Sequence, residues 1–433
     1  MKKVLVITYY WPPSGGAGVQ RWLKFIKYFR DFGWEPIVYT PSNPEFPDSD
    51  NSLLNDIPDG IEIIRHKIWE PYQVYKKFSG KKKEDKIQAA FLSEKRTNPI
   101  TESISVWIRG NLFIPDARKF WIKPSVRFLK KKLAGKNIDL IISSGPPHTT
   151  HRIALKISRY LGKPWLADFR DPWTGIDFYK DLKLTRWADR KHHRMEREVL
   201  RKAEAVTVIS PTMAEDFNKI YPRKYEVITN GYDPEDISIS ETPEPDEKFS
   251  LAYIGTLTAT RNLPVLWNVL GKLVRENKEL EKDLVIRLVG KVDFNATQSI
   301  RDAGLETFVS RTEYLPHNEV IKIQQQSSVL LLLINNTPNA RCILTGKFFE
   351  YMGSRRPILC IGPENGDAAA ILSQTGAGLT SGFEDEEKLK ENILQYYRLF
   401  KVHRLVSLSS GVESFSRKNL TGKMASVMDA ITR

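Results

Sequence analysis

The sequence predicts an α/β protein made of two doubly wound, Rossmann-like domains in tandem. At 433 residues the chain is too long for one ordinary hydrophobic core. Short aliphatic runs typical of buried parallel strands alternate with segments of helical periodicity in both halves. Residues 234–248, rich in proline and acidic side chains, interrupt this alternation. The prediction is therefore an N-terminal domain at 1–233, a linker at 234–248, a C-terminal domain at 249–410, and a helix at 411–433 that packs back on the N-terminal domain.

The composition indicates a well-folded protein without a zinc site or a redox pair. Hydrophobic residues make up 41% of the chain, which excludes a disordered protein. The two cysteines, Cys342 and Cys360, have neither a CxxC spacing nor a neighbouring histidine. The first apolar run is short, ends at Pro12 and lacks a cleavage site, so we interpret it as a strand rather than a signal peptide. No apolar run reaches membrane-spanning length, and we expect a reduced cytoplasmic protein.

The formal net charge of +14 calls for an anionic partner, which could be nucleic acid, a membrane face or a phosphorylated substrate. Much of the charge lies in residues 67–136 among several aromatic side chains. The basic residues include Lys76, Lys77, Lys81, Lys82, Lys83, Lys86, Arg118, Lys119, Lys123, Arg127, Lys130, Lys131 and Lys132, and the aromatic ones include Trp107, Phe113, Phe120, Trp121 and Phe128. This mixture suits an anionic membrane surface, and we expect no nucleic acid. The alternative is that the aromatic residues pack on the domain and the lysines are only solvated.

The N-terminal domain begins with a predicted strand at 2–8, and a glycine-rich loop leads into a helix that ends at Gly33. A second strand at 35–40 and a short one at 61–65 establish the βαβ repeat of an open parallel sheet. The stretch at about 67–136 interrupts this repeat. We therefore predict it to be an insertion or lid outside the core.

Regular alternation resumes after the predicted insertion. The next strands are predicted at 139–143, 165–169, 205–210 and 225–229, with helices through Ala154 and Ile157 and over about 187–203 and 211–220. In an open parallel sheet the carboxyl ends of the strands line the ligand crevice. Here that edge carries His148, Asp168, Arg170 and Asp171.

The C-terminal domain repeats the pattern after the linker. Its strands are predicted at 249–255, 284–290, 307–309, 329–334 and 357–361, and its helices at 264–276, 296–303, 317–325 and from Gly346 to Gly353.

The helix from Gly346 to Gly353 is the most informative stretch of the sequence. A helix that begins near Gly346 directs unpaired N–H groups and the positive end of its dipole at the strand ends, and Lys347 adds a full charge there. Glu350 lies one turn further on the same face, where a carboxylate can accept two hydrogen bonds from a ribose diol. This is the pattern of a nucleotide phosphate site. The plainer alternative is a surface Lys–Glu ion pair.

A second ligand loop is predicted at Gly15, Gly16 and Gly18, after the first strand. Glycines between a strand and a helix let the backbone approach a ligand closely, although they could also serve only a tight turn. Arg21 occupies the position of the third glycine of a GxGxxG fingerprint, which argues against a dinucleotide site.

Two candidates at the strand ends have structural alternatives as well. His148 could simply cap the helix that follows it. Asp171 could form a structural ion pair with Arg170.

Five motifs in this order resemble those of GT-B glycosyltransferases, in particular the large retaining family four, in the branch with a basic insertion that often works on lipid-linked or cell-envelope glycans. They are WPPSGGAG from Trp11, PWLADFRDPW from Pro164, NGYD from Asn230, YIGTL from Tyr253 followed by Arg261, and GKFFEYM from Gly346. The resemblance covers nearly the whole chain. It implies two Rossmann-like domains facing a central cleft.

The resemblance also implies roles for individual residues. Arg261 matches the second position of the basic pair that binds the donor phosphates, while Thr256 stands where many members have arginine. Lys347 is placed to supply the missing charge. Glu350 matches the second glutamate of the paired-glutamate motif, which binds the nucleotide ribose. Cys342 occupies the first position of that motif, so the group that holds the donor sugar is left open.

These inferences give the predicted site. The catalytic candidates are Asp171, Arg261, Lys347 and His148. The donor-binding candidates are Gly15, Gly16, Gly18, Thr256, Arg261, Thr345, Gly346, Lys347, Phe348 and Glu350. The acceptor-side candidates are Asp168, Arg170 and Asp171.

The reaction implied by the resemblance is transfer of a sugar, with retention, from a nucleoside diphosphate sugar to a cell-envelope glycan acceptor of the lipid-linked kind. Cations and a helix dipole would stabilise the leaving diphosphate. No Asp-x-Asp motif stands at a strand end, and no metal or cofactor is predicted. The expected location is the cytoplasm, with peripheral contact to the inner face of the cell membrane.

Two other functions stay open at this point. A nucleotide-sugar epimerase shares the doubled architecture but needs no acceptor and no basic aromatic insertion. A non-catalytic sugar-nucleotide-binding relative is suggested by Cys342 and Thr256, which replace charged residues.

Overall fold

The computed structural model describes residues 1–45, 49–70, 99–237, 244–313 and 315–433. The chain divides into two compact units, the first formed by Met1–Ile228 with Leu420–Arg433 and the second by Thr229–Asn419. The predicted linker at 234–248 belongs to the second unit wherever it is described. The end of the chain, from Leu420, belongs to the first.

The first unit is built on a seven-stranded sheet with the order β3-β2-β1-β4-β5-β6-β7. Its strands are β1 Lys2–Ile7, β2 Trp34–Pro41, β3 Glu62–His66, β4 Leu140–Gly145, β5 Trp165–Phe169, β6 Ala205–Val208 and β7 Glu226–Val227, all paired in parallel. Its helices are α1 Ala17–Tyr28, α2 Pro99–Leu112, α3 Ile122–Lys132, α4 Thr149–Leu161, α5 Arg186–Lys202 and α6 Pro211–Ile220. The strand order reverses between β1 and β4, and in such sheets ligands bind at that point.

The second unit is built on a six-stranded parallel sheet with the order β10-β9-β8-β11-β12-β13. Its strands are β8 Phe249–Ile254, β9 Leu284–Val289, β10 Val309–Thr312, β11 Val329–Leu333, β12 Ile358–Ile361 and β13 Gly378–Ser381. The helices from Pro234 onwards are α7 Pro234–Ile237, α8 Pro264–Glu276, α9 Lys278–Asp283, α10 Phe294–Asp302, α11 His317–Gln326, α12 Gly346–Gly353, α13 Asp367–Thr375, α14 Glu386–Lys401 and α15 Arg417–Ile431. The chain thus has two parallel-sheet, Rossmann-like folds.

The cores follow from the strand pattern. In β8, Leu251 and Tyr253 belong to one hydrophobic cluster and Ala252 and Ile254 to another, because successive side chains point to opposite faces of a sheet. Both faces of the second sheet are therefore covered, as a parallel sheet requires. In the first unit the core includes Trp22 of α1 and, from α15, the buried side chains Leu420, Met424 and Met428.

The predicted insertion at 67–136 is wrong in its second half. Residues from Ile122 form α3, which packs against α4 and leads directly into β4. Trp121, Ser125, Leu129 and Leu133 are buried at a spacing of four residues, which is the repeat of a helix packed on a core. The lysines between them concealed this periodicity. The lysines at 76–86 lie outside the described residues.

No helix in the described part of the chain is both long enough and apolar enough to cross a bilayer.

Candidate active site

The helix α12 begins at the carboxyl edge of the second sheet, directly after the loop that follows β11. Thr345 precedes it in an extended conformation and offers no side-chain cap, and its Oγ1 is buried without a hydrogen-bond partner. The first N–H groups of an α-helix have no partner within the helix. The edge of the second sheet therefore presents unpaired donors at the positive end of a helix dipole, as the sequence predicts.

Lys347 lies in the first turn of α12 and turns back toward the end of β8. Its Nζ donates to the carbonyl oxygen of Ile254 at 3.3 Å and lies 3.8 Å from the centroid of the Tyr253 ring. Burial lowers the pKa of Lys347, and the nearby charge of Arg261 lowers it further. An anion between Lys347 and Arg261 would offset the repulsion between their charges, so this position favours a negatively charged ligand.

Arg261 is held by the loop after β8 rather than by a carboxylate. Its Nε donates to Oδ1 of Asn335 at 2.7 Å, and its NH1 donates to the carbonyl oxygen of Thr256 at 3.3 Å. The Tyr253 hydroxyl donates to the same carbonyl at 2.9 Å. Thr256 therefore contributes its backbone, and Tyr253 and Asn335 are supporting residues that sequence reasoning missed. The available signal for Tyr253 was a tyrosine inside a buried aliphatic strand, two residues before a glycine.

Two glycines allow the loops after β8 and β9 to touch. Gly255 and Gly290 have φ values of +112° and +114°, a region that side-chain-bearing residues rarely adopt. A Cβ atom on Gly290 would lie 2.8 Å from the carbonyl oxygen of Gly255. Any side chain at position 290 would collide with the Gly255 backbone, which belongs to the loop that supports Lys347.

Glu350 and Lys347 do not form the ion pair that was the plainer alternative. The Glu350 side chain is half-buried and makes no hydrogen bond or ion pair with any residue that the structure describes. Cys342, at the position of the first family glutamate, is buried and donates through Sγ to the Asn339 carbonyl at 3.2 Å. The carboxylate predicted to hold a ribose is therefore present, while a thiol occupies the other position.

The side chain of Phe348, a predicted donor-binding residue, lies away from the site. Its side chain is fully buried in the core and its ring lies 5.0 Å from that of Phe349. The apolar face of α12 needs these two rings to cover the sheet, so neither ring can reach a ligand.

A cavity of about 450 Å³ opens on the same edge of the second sheet. The loops that follow β8, β11 and β13 and the start of α8 line it. Among its lining residues are Thr260, Asn336, Phe383 and Glu384. Their amide, hydroxyl, carboxylate and aromatic groups suit a polar ligand with an apolar face.

In the first unit, Arg170 joins two loops at the carboxyl edge. Its NH1 donates to the carbonyl oxygen of Gly18 at 2.8 Å, and its NH2 donates to that of Pro146. The guanidinium also lies over the Tyr10 ring. Gly18 leaves little room for a side chain, since a Cβ atom there would lie 3.0 Å from that ring and 3.2 Å from Arg170 NH1. Arg170 was predicted to face the acceptor, and the structure shows it positioning the glycine loop.

The other two glycines of this loop meet no such crowding. Gly16 is exposed and has a φ of +86°, so it provides the left-handed turn into α1. Gly15 is half-buried. The loop backbone is therefore exposed at Gly16, while its contacts with Arg170 and Tyr10 fix it at Gly18.

His148 lies on the crevice side of β4 and stacks on Trp173, with ring centroids 4.5 Å apart and planes inclined by 1°. Trp173 in turn donates through Nε1 to Nδ1 of His192 at 3.0 Å. His148 does not cap α4, because Asp116 takes that role by accepting from the Thr149 N–H at 2.8 Å. Burial holds the pKa of His148 well below its usual value, so the imidazole is neutral.

Asp171 follows β5 and is half-buried beside Arg170, but no ion pair joins the two side chains. Burial raises the pKa of Asp171 to about 6, and the Arg170 charge limits that rise. A carboxyl group that titrates near neutral pH at the edge of a sheet is a candidate for a functional group.

Asp168 is a wrong acceptor-side prediction. Its side chain has no exposed surface and forms a buried ion pair with Arg21, with NH2 and Oδ1 2.8 Å apart. Trp22, Ser144 and Thr207 also donate to its oxygens at 2.8 to 2.9 Å. Burial alone would raise the pKa of Asp168, but Arg21 and these donors hold it below its usual value. Asp168 therefore joins α1 to the sheet and cannot touch an acceptor.

Comparisons with known proteins agree with the fold. The sequence profile of Glycosyltransferase Family 4 matches residues 15–236. None of the curated proteins searched matches the chain. WaaG, a glycosyltransferase involved in lipopolysaccharide biosynthesis, aligns over 99% of this chain and 99% of its own, with 13% identity and a TM-score of 0.58.

Two further solved structures show the same fold at similar distance. A mutant of TarM from S. aureus, solved with UDP, aligns over 99% of this chain and 100% of its own, with 11% identity and a TM-score of 0.59. A putative UDP-N-acetylglucosamine 2-epimerase from Listeria monocytogenes aligns over 99% and 96%, with 11% identity and a TM-score of 0.55. Since the family profile covers more than half of the chain and the fold is that of GT-B enzymes, the protein belongs to Glycosyltransferase Family 4 and is a glycosyltransferase.

Proposed function

We propose that this glycosyltransferase moves a sugar from a nucleoside diphosphate sugar to a lipid-linked cell-envelope glycan, with retention and without a metal ion. The observation that carries the proposal is that Lys347, in the first turn of α12, rests on Tyr253, while Tyr253 and Arg261 donate to the same Thr256 carbonyl, which places both cations near the open end of that helix. Neither cation is neutralised by a carboxylate in the described structure. Two unneutralised charges beside a helix N-terminus suit a diphosphate better than any neutral ligand.

The donor would be held along α12. Its diphosphate would accept from Lys347, from Arg261 and from the first N–H groups of the helix, and the ribose hydroxyls would donate to Glu350 one turn later. The UDP in the TarM structure supports a nucleoside diphosphate as the class of ligand. With Cys342 in place of the first glutamate, the hydroxyls of the donor sugar must find another acceptor.

The chemical step breaks the bond between the anomeric carbon and the diphosphate oxygen, and the acceptor hydroxyl forms the new bond. Negative charge grows on the leaving diphosphate, so its stabilisation by Lys347, Arg261 and the helix N-terminus is the main contribution of the protein to catalysis. No divalent cation is needed for that role. The proton of the acceptor hydroxyl would pass to the departing diphosphate oxygen as the new bond forms, so the step needs no further co-reactant.

The acceptor would meet the first unit at the carboxyl edge of its sheet. The neutral imidazole of His148 and the carboxyl group of Asp171 lie at that edge and can hydrogen-bond to sugar hydroxyls. WaaG acts in lipopolysaccharide biosynthesis, and this supports an envelope glycan as the acceptor. The proposed location is the cytoplasmic face of the membrane, with peripheral contact to anionic lipid.

An epimerase is the second candidate because one structural neighbour is a putative nucleotide-sugar epimerase. An epimerase would convert the donor without any acceptor. A glycosyltransferase would release nucleoside diphosphate only when an acceptor is present.

The proposal is tested first by nucleotide binding. We expect UDP, GDP or ADP to raise the melting temperature of the wild-type protein, and we expect Lys347→Ala and Arg261→Ala to weaken that effect. Each substitution should also cost about 2 to 4 kcal/mol in transition-state stabilisation. The matched control is Lys322→Ala, an exposed lysine of the second unit. If both site variants bind nucleotide as tightly as the control, the donor site lies elsewhere.

A further inference from the structure

Large apolar side chains are exposed together at one edge of the first unit. Trp69 after β3, Phe120 before α3 and Trp187 in the first turn of α5 are 55%, 41% and 62% exposed. The exposed side of α2 adds Ile104, Trp107 and Leu112. Scattered apolar residues are ordinary on a protein surface, but a contiguous group marks an interaction site.

Distances show that the rings of Trp69, Phe113 and Phe120 adjoin one another. The Phe120 ring lies 4.8 Å from that of Trp69 and 6.0 Å from that of Phe113. Lys119 Nζ lies 4.8 Å from the Phe120 centroid and 5.4 Å from the Phe113 centroid, and it donates to the Leu112 carbonyl at the end of α2. The loop after β3, the end of α2 and the start of α3 therefore share one surface.

The patch continues onto α5. Asn111 at the end of α2 accepts from the N–H of Thr185, directly before α5, at 2.6 Å, and Lys119 donates to the Leu112 carbonyl at the same helix end, so α5 begins beside these side chains. Lys191 Nζ is 4.6 Å from the centroid of the Trp187 ring. Two cations thus rest on aromatic faces at the centre of the patch.

The C-terminal end of α2 is held against the segment that precedes α5. Asn111 accepts from the Thr185 N–H at 2.6 Å and donates to the Lys183 carbonyl at 3.2 Å. Gly110 lies so close to Leu182 that a Cβ atom there would be 2.6 Å from its carbonyl oxygen. These contacts fix the C-terminal end of α2, next to the exposed Leu112, against residues 182–185.

The patch lies at the ligand edge of the sheet. A loop that follows a strand and the first turn of a helix that leads to the next strand both lie at the carboxyl edge. This holds for Trp69 after β3, Phe120 before α3 and Trp187 in α5. His148 and Asp171 lie at the same edge.

The charge of this region favours an anionic partner. Residues 103–123 and 177–191 carry nine Lys and Arg side chains against four Asp side chains. Aromatic rings beneath lysine ammonium groups match the interface of an anionic bilayer, where rings enter the headgroup layer and ammonium groups meet phosphate.

We propose that this aromatic–cationic patch, formed by Trp69, Phe113, Lys119, Phe120, Trp187, Lys191 and the exposed side of α2, docks the first unit on an anionic membrane. The inference rests on the proposed function, because docking at the ligand edge brings a lipid-linked acceptor to His148 and Asp171. It also assigns the contact to a surface other than Lys130, Lys131 and Lys132. Those lysines lie at the opposite end of α3, about 12 Å further along the helix.

The experiment is vesicle flotation with phosphatidylcholine alone and with added phosphatidylglycerol, across a salt series. We expect the wild-type protein to float only with the anionic vesicles and to be released by salt. The triple variant Trp69→Ser, Phe120→Ser, Trp187→Ser should bind about tenfold more weakly. The matched control replaces three exposed apolar residues of the second unit, Phe294, Val402 and Leu408, with Ser and should float like the wild type.

A second pair of variants separates the patch from general charge attraction. Two triple variants remove the same net charge, one at or beside the patch and one at the far end of α3. The first is Lys119→Gln, Lys123→Gln, Lys191→Gln, and the second is Lys130→Gln, Lys131→Gln, Lys132→Gln. The first should weaken binding about tenfold, since each surface cation contributes measurably only near the lipid, and the second should change it less than about threefold. Equal losses in both variants would contradict a defined docking surface.

The remaining outcomes are also decisive. If the wild type does not float with anionic vesicles, or the aromatic variant floats equally at every salt concentration, the inference is wrong. If vesicle binding is unchanged and the patch variant instead loses self-association in sedimentation, the patch is a protein interface. Nucleotide binding provides the separate readout, since it depends on Lys347 and not on the patch. Intact nucleotide binding without flotation would overturn only this inference, and flotation without nucleotide binding would overturn only the proposed function.

Discussion

The Lys347 ammonium rests on the face of Tyr253 and on a carbonyl oxygen instead of on a carboxylate. A cation on an aromatic ring gains about 0.5 to 2 kcal/mol, which is less than a charge-assisted bond to phosphate. The lysine is therefore held in place without being neutralised. Tyr253 positions the Lys347 ammonium without neutralising it, so the ammonium can still bind an anion. The carbonyl of Thr256 positions Arg261 in the same way.

The raised pKa of Asp171 makes a prediction about pH. Its carboxyl group is protonated below about pH 6 and ionised above it. If the carboxylate accepts a hydrogen bond from the acceptor, kcat/KM should fall as the pH decreases through about 6. His148 does not contribute in this range, because burial keeps the pKa of that imidazole well below its usual value.

Two variants test whether Asp171 causes this decrease in kcat/KM at low pH, which is the acidic limb of the pH profile. Asp177→Asn removes a like charge that raises the pKa of Asp171, so the limb should move to lower pH. Asp171→Asn should lower activity and abolish the limb. A pH profile that keeps the same limb in Asp171→Asn would show that another group titrates.

Asp168 predicts a stability effect rather than a catalytic one. Asp168→Asn breaks a fully buried ion pair and leaves Arg21 without its partner, so we expect a loss of about 3 to 5 kcal/mol in unfolding free energy. Asp429→Asn, which breaks the exposed ion pair with Lys2, should cost less than about 1 kcal/mol. Denaturant unfolding of the two variants measures the difference. Equal stability of both would contradict the structural role of Asp168.

At the scale of the elements, the contact between the loops after β8 and β9 can be tested at Gly290. Gly290→Ala would place a Cβ atom 2.8 Å from the Gly255 carbonyl oxygen at a φ of +114°. We expect strain of about 1 to 3 kcal/mol and a weaker response to nucleotide, because the displaced loop adjoins Lys347. Gly382→Ala is the control, since its Cβ would meet only Asp385 at 3.6 Å. Unchanged melting temperature and nucleotide response in Gly290→Ala would refute the tight loop contact.

The strands that the sequence predicts well are the uniform aliphatic ones. Runs such as Val329–Leu333 are buried on both faces of a parallel sheet, so their composition alone identifies them. The edge strand Gly378–Ser381 was missed because an edge position requires little apolar surface. The helix Ile122–Lys132 was assigned to an insertion because three consecutive lysines at its end hid its buried positions.

The candidate site was predictable to the extent that local sequence determines it. The start of α12, Lys347 and Glu350 follow from spacing along one helix. Tyr253 and Asn335 could not be found in this way, because Tyr253 lies in β8 and Asn335 in the loop after β11, and they meet Lys347 and Arg261 only in the folded protein. Asp168 shows the opposite error, a residue predicted for the site that does not belong to it. Its position at a strand end suggested a ligand contact, but its side chain points into the core.

For the whole molecule, the proposed mechanism predicts that chelators do not change the rate of turnover. The charge on the leaving diphosphate would be balanced by Lys347, Arg261 and a helix N-terminus, so no divalent cation is required. Turnover should be the same with and without EDTA. Loss of turnover in EDTA that manganese restores would contradict a metal-independent reaction.

The central claim is that both units serve transfer of a sugar to an acceptor, and one measurement tests it most directly. The purified protein is incubated with a panel of nucleoside diphosphate sugars labelled in the sugar, with and without lipid extracted from a bacterial envelope. We predict that one donor releases its nucleoside diphosphate only when lipid is present, that the label moves into the lipid fraction, and that Lys347→Ala slows both events about thirtyfold or more. Conversion of the donor to an epimer without lipid, or nucleotide binding with no turnover of any donor, would contradict the account.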